Sequence, residues 1–356
     1  MTKITWDALR ESQKILLLLA LLLVWNFAFW LFGLFQSLWI GIFLVNFIII
    51  VYLLHQVSLV VPPQRISTFE KAVAVGFPII LLASWELLVR GGVLNEDWFP
   101  PPTRIVGAIW HLTVHYDKYT KTSLLGRFWL IPSIFPLEGW EGVKRLFLES
   151  HVITTVIRIL AGFVLGTFPG LILGVFMGMN RIVRTMLDPV ISATYVVPKI
   201  TILPLMMLIF DPFGETYQIV TIGIGVFFLV LINTMTGVRD IDPIFLEAGK
   251  NFGANRLQLF RHVIIPGALP FIFAGLRLGL GVGLVIVVAI EFLRGEKGVG
   301  YITWYYWEIM VVKNMYAGLI VIMLLGVLTT FGLQRLERWV IPWQREEREL
   351  PEAAQG

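Results

Sequence analysis

Residues 15–54 contain no Asp, Glu, Lys or Arg. Wound as one helix, a run of that length would extend about 60 Å, twice the roughly 30 Å hydrocarbon core of a bilayer. It reads instead as two membrane helices with a tight turn near residues 33–37. No short apolar core with a small-residue cleavage site precedes it, so a cleavable signal peptide is not expected. The remaining composition requires lipid as well. The chain is 57% hydrophobic and 15% charged, with mean hydropathy +0.80, whereas a water-covered surface takes about a quarter charged residues. The net charge of +4 comes without a basic stripe or RNA-binding motif, so no nucleic-acid partner is expected. A modest Lys/Arg excess is what membrane proteins place in cytoplasmic loops. With no cysteine, disulfides, thiolate metal sites and cysteine nucleophiles are excluded.

Six further apolar spans follow, at about 72–89, 152–179, 187–210, 217–237, 271–293 and 315–332, each long enough for one crossing. The expected fold is therefore all-α, a polytopic bundle of about eight transmembrane helices with both termini on one side. One set of loops holds Lys3, Arg10, Lys14, Arg65, Lys71, Arg181, Arg184, Arg239, Lys250, Arg256, Arg261, Arg335, Arg338, Arg345 and Arg348, which places it, and both termini, in the cytoplasm. The long segment 91–150 carries six basic and six acidic residues and weighs little in that choice. Trp98, Phe99 and the run Trp304, Tyr305, Tyr306, Trp307 fall on the opposite face, where amphipathic rings anchor at the interface. Within 91–150, residues 105–112 suit an amphipathic helix, and the remainder, with Trp129 and Trp140, is expected to lie on the outer membrane surface. The organisation is then a hairpin (1–64), a first core helix with a long outer segment (65–150), a helical core (151–340) and a charged tail (341–356).

Glycines recur every four residues at Gly162, Gly166, Gly170, Gly174 and Gly178, and again at Gly275, Gly279 and Gly283. That spacing puts each set on one helix face, where a neighbouring backbone can approach closely. Static packing and a sliding interface both fit; static packing is the simpler reading.

The most informative stretch is the loop 238–266. Asp242-Pro243 opens a short amphipathic helix, Gly253 permits a turn, and a second short helix ends at Pro266. Phe245, Leu246, Ala248, Phe252, Leu257 and Phe260 are apolar with no membrane to enter. They need either a partner's groove or the chain's own bundle. The pattern resembles the EAA loop of binding-protein-dependent ABC importer permeases. Glu247, Ala248 and Gly249 hold the triplet, Gly253 follows after three residues, and Val263, Ile265 and Pro266 close it. Gly249 stands for the usual Ala, Val263 for Ile and Ile265 for Leu. The similarity extends over about 70–340 through Trp85-Glu86-Leu87-Leu88, Pro101-Pro102-Thr103, Arg158-Ile159-Leu160-Ala161-Gly162-Phe163, Leu187-Asp188-Pro189, Val197-Pro198-Lys199 with Pro204, Gly237-Val238-Arg239 and Gly298-Val299-Gly300-Tyr301. These resemble the nitrate/sulfonate/bicarbonate/taurine branch. The first hairpin and segment 115–145 match nothing in the usual short form.

The resemblance implies a six-helix permease core behind the N-terminal hairpin, in a bacterial or archaeal cytoplasmic membrane. It implies a second permease, identical or not, and two ATPase subunits that hold ATP and magnesium. It also implies an external binding protein that delivers a small, anionic solute. Glu247, Ala248, Gly249, Gly253, Ala254 and Pro266 would then couple to the ATPase. This chain should bind no cofactor and catalyse no reaction; it contains no G-x-x-x-x-G-K-[ST] run. A vitamin or pyrimidine precursor is an alternative cargo. An ion-coupled secondary transporter is the alternative class, but it would need central intramembrane carboxylates, and Glu86 and Glu291 are peripheral.

Arg158, Arg277, Glu86 and Glu291 lie within a few turns of a helix end and are expected to snorkel. Lys199 sits mid-span between Pro198 and Pro204. It either attracts an anion in the pathway or is solvated at a helix break without touching solute; the second is favoured, because related permeases for uncharged vitamins share the segment. Asn233 and Glu291 are the other candidate pathway groups. His55, His111, His115, His151 and His262 lack ligand spacing, so no metal site is expected.

Overall fold

The computed structural model describes residues 10–34, 37–114, 116 and 122–343. Lys3, His115, Lys118, Lys121, Arg345, Arg348 and all of the tail past residue 343 lie outside the described residues. Among those described, the regular structure is helical apart from one isolated parallel bridge, Ser123 to Ser150. Among the described residues seven helices are long and apolar enough to cross a membrane, and a bent helix pair brings the spans to eight if it is one crossing; this is a multi-pass membrane protein. The chain divides into two compact units, residues up to Gly107 and residues from Ala108 onward.

The first unit holds α1 (Glu11–Leu31), α2 (Trp39–Val60) and α3 (Ile66–Arg90). α1 and α2 form the expected hairpin. A reciprocal polar tie joins them at Asn26 and Asn46, whose side-chain amides exchange hydrogen bonds of 3.0 and 2.8 Å. Near the end of α3, Glu86 accepts from Arg90 at 2.5 Å and from the Thr103 backbone and hydroxyl at 3.0 and 2.8 Å. The Glu86 charge is thus met by the chain itself rather than by snorkelling.

The helix expected at 105–112 is present as α4 (Pro102–Val114). A helix not foreseen, α5 (Ile131–Leu148), follows; it bends at Gly139, whose φ of 60° interrupts it. Pro132 is accommodated in the first turn and Gly139 at the bend, while Pro136 lies inside the short helical piece before that bend.

The rest of the second unit is organised around one helix. α6 (His151–Met179) runs parallel to α9 (Thr216–Arg239), and α12 (Ile265–Arg294) runs antiparallel to it. The five-glycine ridge of α6 meets α9 rung by rung: a Cβ on Gly162 would lie 2.6 Å from Ile222, one on Gly170 2.9 Å from the Phe227 carbonyl, and one on Gly178 2.6 Å from Val238. The three-glycine ridge of α12 presses on another side of α9, at Asn233, Val226 and Val230. Both ridges are therefore close-packing faces, the simpler of the two readings. α13 (Val299–Glu308) and α14 (Val312–Val340) complete the unit; Gly318 of α14 seats against Thr303.

The span expected at 187–210 is not one helix. It is α7 (Arg181–Val196) and a second piece, Lys199–Ile209, ending in α8 (Leu203–Ile209), bent by 92°. Pro198 has no N–H to offer the carbonyl of Thr194 four residues back, so the helix stops and the chain turns. Lys199 consequently begins the second piece instead of sitting inside a helix.

Candidate functional site

The loop 240–266 is built from local signals. Asp242 caps α10 (Pro243–Asn251) by accepting from the Ile244 N–H at 2.9 Å, and Pro243 occupies the first turn, where no donor is needed. Gly253 turns the chain at φ +81°, a left-handed conformation that costs other residues about 1–2 kcal/mol. Asn255 and Gln258 then exchange backbone–side-chain bonds of 2.9 and 2.8 Å, a capping box that opens α11 (Arg256–Leu259). One π-helical turn, Phe260–Ile264, leads without a break into α12. Gly249 has a packing reason: a Cβ there would lie 2.6 Å from the buried Leu259 side chain, so the glycine lets α10 close on the second helix.

This folding leaves an apolar face uncovered. Phe252 is 92% exposed, Leu257 72% and Phe245 62%, with Ile244 beside them. Leu246 and Phe260 are half-buried in the chain itself. Glu247 and Ala248 are exposed on α10, and among the described residues Glu247 has no hydrogen-bond or ion-pair partner. At the base of the loop, Arg239 donates to Asp240 at 2.6 Å and holds that carboxyl below the usual carboxylate range.

Lys199 is occupied by the chain. Its ammonium donates to the carbonyls of Thr194, Tyr195 and Val197 at 3.0, 2.8 and 2.8 Å and lies 4.6 Å from the centre of the Phe228 ring. The carbonyls lie where α7 ends, that of Thr194 also accepting from the Val197 N–H at 3.3 Å, and a cation at a helix C-terminus is stabilised by the dipole as well. Asn233, about 8 Å along α9 from Phe228 at 1.5 Å per residue, donates to the Leu229 carbonyl at 2.8 Å and faces Gly275.

Glu291 belongs to a third arrangement. Its side chain is fully buried. It accepts from Thr155 at 2.9 and 3.0 Å, from Arg158 at 3.0 Å and from the Gly300 N–H at 2.9 Å. Arg158, itself 4% exposed at the side chain, continues to Glu215 at 2.9 and 3.1 Å and to the Lys297 carbonyl at 2.7 Å. His151 Nδ1 accepts from the Gly298 N–H at 3.0 Å. Snorkelling is thus the wrong expectation for Arg158 and Glu291. A buried guanidinium and carboxylate are compensated by each other and by fixed donors. Arg277 pairs with Glu337 of α14, but its side chain is 41% exposed, so this pair is not a buried one. The network ties the start of α6, the entry to α9, the end of α12 and the loop into α13. Gly298, at φ +121°, lies so close to the Glu291 carboxylate that any Cβ would overlap it. The Gly298-Val299-Gly300 run was the available sequence signal for this closure; Glu215 and Thr155 carried none. Among the described residues no cluster of His, Cys, Asp or Glu could hold a metal ion.

Helices that cross a bilayer, a capped helix–turn–helix with an exposed apolar face, and relatives of known type now coincide. The family model for the "binding-protein-dependent transport system inner membrane component" matches residues 170–343. The putative aliphatic sulfonates transport permease protein SsuC of Escherichia coli K12 is 30% identical over 266 residues, 75% of this chain and 89% of that one. The chain belongs to this permease family. The taurine transport system permease protein TauC of the same organism is 28% identical, covering 78% of this chain and 91% of its own length. The nitrate import permease protein NrtB of Synechococcus elongatus is 25% identical, covering 63% and 72%. As a permease of this family the chain is a transport subunit. The matched region contains Lys199, Asn233, the 240–266 loop and Glu291, whereas Arg158 and Thr155 precede it.

Proposed function

We propose that this permease forms the translocation pathway for a small anion of the taurine, sulfonate, nitrate or bicarbonate class in an ATP-driven importer of a bacterial or archaeal cytoplasmic membrane. It works with a second permease and an external binding protein. α10 and the Gly253 turn dock in a groove of a separate ATPase that holds ATP and magnesium. The observation that carries this reading is the bare apolar face of the capped loop, Phe245, Phe252 and Leu257, beside the unpartnered Glu247. Taurine, sulfonate and nitrate follow the names of the relatives, and bicarbonate follows the family resemblance alone.

In this mechanism, closure of the ATPase dimer moves α10, Leu259 carries the movement into the second short helix, and α12 takes it into the bundle. ATP binding then shifts the population toward an outward-open state. Gly249, Ala254 and Pro266 shape the loop so that Glu247 and Ala248 face the partner. Lys199 braces the α7–α8 break, its three donors satisfied by carbonyls. Asn233 and Glu291 hold helices together beside the pathway and do not contact solute.

Two substitutions test the coupling assignment. Glu247→Arg reverses the charge offered to the groove; Gly253→Val places a β-branched residue at positive φ, which is strongly disfavoured. Both should leave membrane insertion intact, lower co-purification of the ATPase and reduce solute-stimulated ATP hydrolysis and uptake by at least about tenfold, equivalent to about 1.4 kcal/mol. Wild-type uptake by both variants would falsify the docking role of this loop.

A further inference from the structure

The C-terminal part of α5 and the loop between α12 and α13 line a cavity of about 650 Å³ that the transport reading does not use. We propose that it is a binding site for a sulfonate- or phosphate-type oxyanion, held by the ammonium groups of Lys144 and Lys297.

Charge is the first argument. Four cationic side chains line the cavity, Arg127, Lys144, Arg145 and Lys297, against two carboxylates, Glu141 and Glu149. Glu149 is committed: Arg127 donates to both of its oxygens at 2.8–3.0 Å. Arg127 is fixed in turn by Tyr116, whose ring centre lies 3.6 Å from the guanidinium carbon. Arg145 is paired with Glu138 at 2.8 Å. Among the described residues, Lys144 and Lys297 have no side-chain hydrogen-bond or ion-pair partner. Two unpaired ammonium groups on one cavity repel each other. An oxyanion accepts hydrogen bonds from both and removes that repulsion. The two arginines are neutralised by their glutamates, so the free positive charge of the wall is that of the two lysines.

Position is the second argument. The Lys297 carbonyl accepts from Arg158 at 2.7 Å, and the following Gly298 N–H donates to His151. The Lys297 side chain therefore reaches into the cavity from a peptide already tied to α6, Glu215 and Glu291. On the opposite wall, Glu149 precedes the bridge in which the His151 N–H donates to the Ser123 carbonyl at 3.1 Å. An anion that clamps Lys144 to Lys297 closes a link between α5 and the buried network. That this link reports solute arrival rests on the proposed transport reading; the site itself does not.

The oxyanion has two sources, a free solute or a lipid headgroup. The full chain is reconstituted in nanodiscs of phosphatidylcholine, and sulfate and methanesulfonate are titrated calorimetrically at constant ionic strength against chloride. The titration is repeated in discs with about one third phosphatidylglycerol. Saturable binding of either anion is expected, weakened by about tenfold in K144Q/K297Q and retained in K144R/K297R, which preserves charge. E141Q, which removes the uncommitted carboxylate, should strengthen binding severalfold. Binding abolished by phosphatidylglycerol assigns the site to a headgroup phosphate, and binding indifferent to it assigns a free anion; both support the oxyanion site. No saturable binding in phosphatidylcholine discs, or unchanged binding in K144Q/K297Q, overturns it. No ATPase is present in the assay, so its failure leaves the importer assignment standing.

Discussion

α2 and α9 are close in length, 22 and 24 residues, and the most apolar 18-residue stretch of each has the same mean hydropathy of 2.2. Yet 11% of the membrane window of α2 is buried against 56% of that of α9. Hydropathy alone thus identifies a helix that enters lipid and is silent on what it packs against. Without a hydrophobic drive between helices in a bilayer, close packing of small residues has to hold them. α9 lies against two glycine ridges, whereas α2 has one glycine, Gly41, with nothing within 4 Å of a Cβ built there. The hairpin relies instead on the Asn26–Asn46 amide exchange.

The sharpest way to break this contrast is to fill one rung. Gly166→Leu would drive a side chain into the Gly223 carbonyl and within 2.9 Å of the Phe227 nitrogen. The loss should reach about 3 kcal/mol or more, the upper end for overpacking, because backbone cannot yield as a side chain does. Gly41→Leu should stay within about 0.5 kcal/mol. Thermal unfolding in detergent, followed by gel filtration, compares them; equal tolerance would end the ridge argument.

The buried network gives the next largest effect. Glu291→Leu leaves Arg158 buried with Glu215 and the Lys297 carbonyl and should cost about 3 kcal/mol. In the double variant Arg158→Met/Glu291→Leu, the two losses should fall short of additivity by at least about 1 kcal/mol. Additive losses would mean that the pair acts independently.

The smallest effect belongs to the hairpin. Asn26→Leu should cost about 1 kcal/mol, the scale of an interhelical hydrogen bond in lipid, and Asn26→Leu/Asn46→Leu should recover most of it by removing the orphaned amide. Uptake should be unchanged in both. A transport defect in the double variant would give the hairpin a working role.

The helices and their order were legible because each span is long and apolar and its ends carry charge. The loop was legible because Asp242, Gly253 and Pro266 each have one local job, set within a few residues. The α7–α8 break was half-legible: Pro198 marked the weak point, but nothing local reported the 92° turn or that Lys199 folds back onto three carbonyls there. The fate of Arg158 and Glu291 was not legible. They are separated by 133 residues, and no periodicity within either helix reports a partner on another. α5 was missed because Pro132, Pro136 and Gly139 resemble a loop until the bend at Gly139 is seen to divide two helical pieces.

The uninterrupted passage from α11 through the π turn into α12 fixes a phase. Arg256–Arg294 is one 39-residue rod, with Glu247's loop at one end and Glu291 near the other. At 3.6 residues per turn, each residue sets about 100° of rotation, so removing one residue between Pro266 and Glu291 would point the loop away from its docking direction while every side chain contacting a partner remained present. The wide turn at Phe260–Ile264 is the one place on the rod where winding already departs from that count. Chain length across α12 is therefore as much a determinant of coupling as the chemistry at either end: the segment meters angle as well as distance.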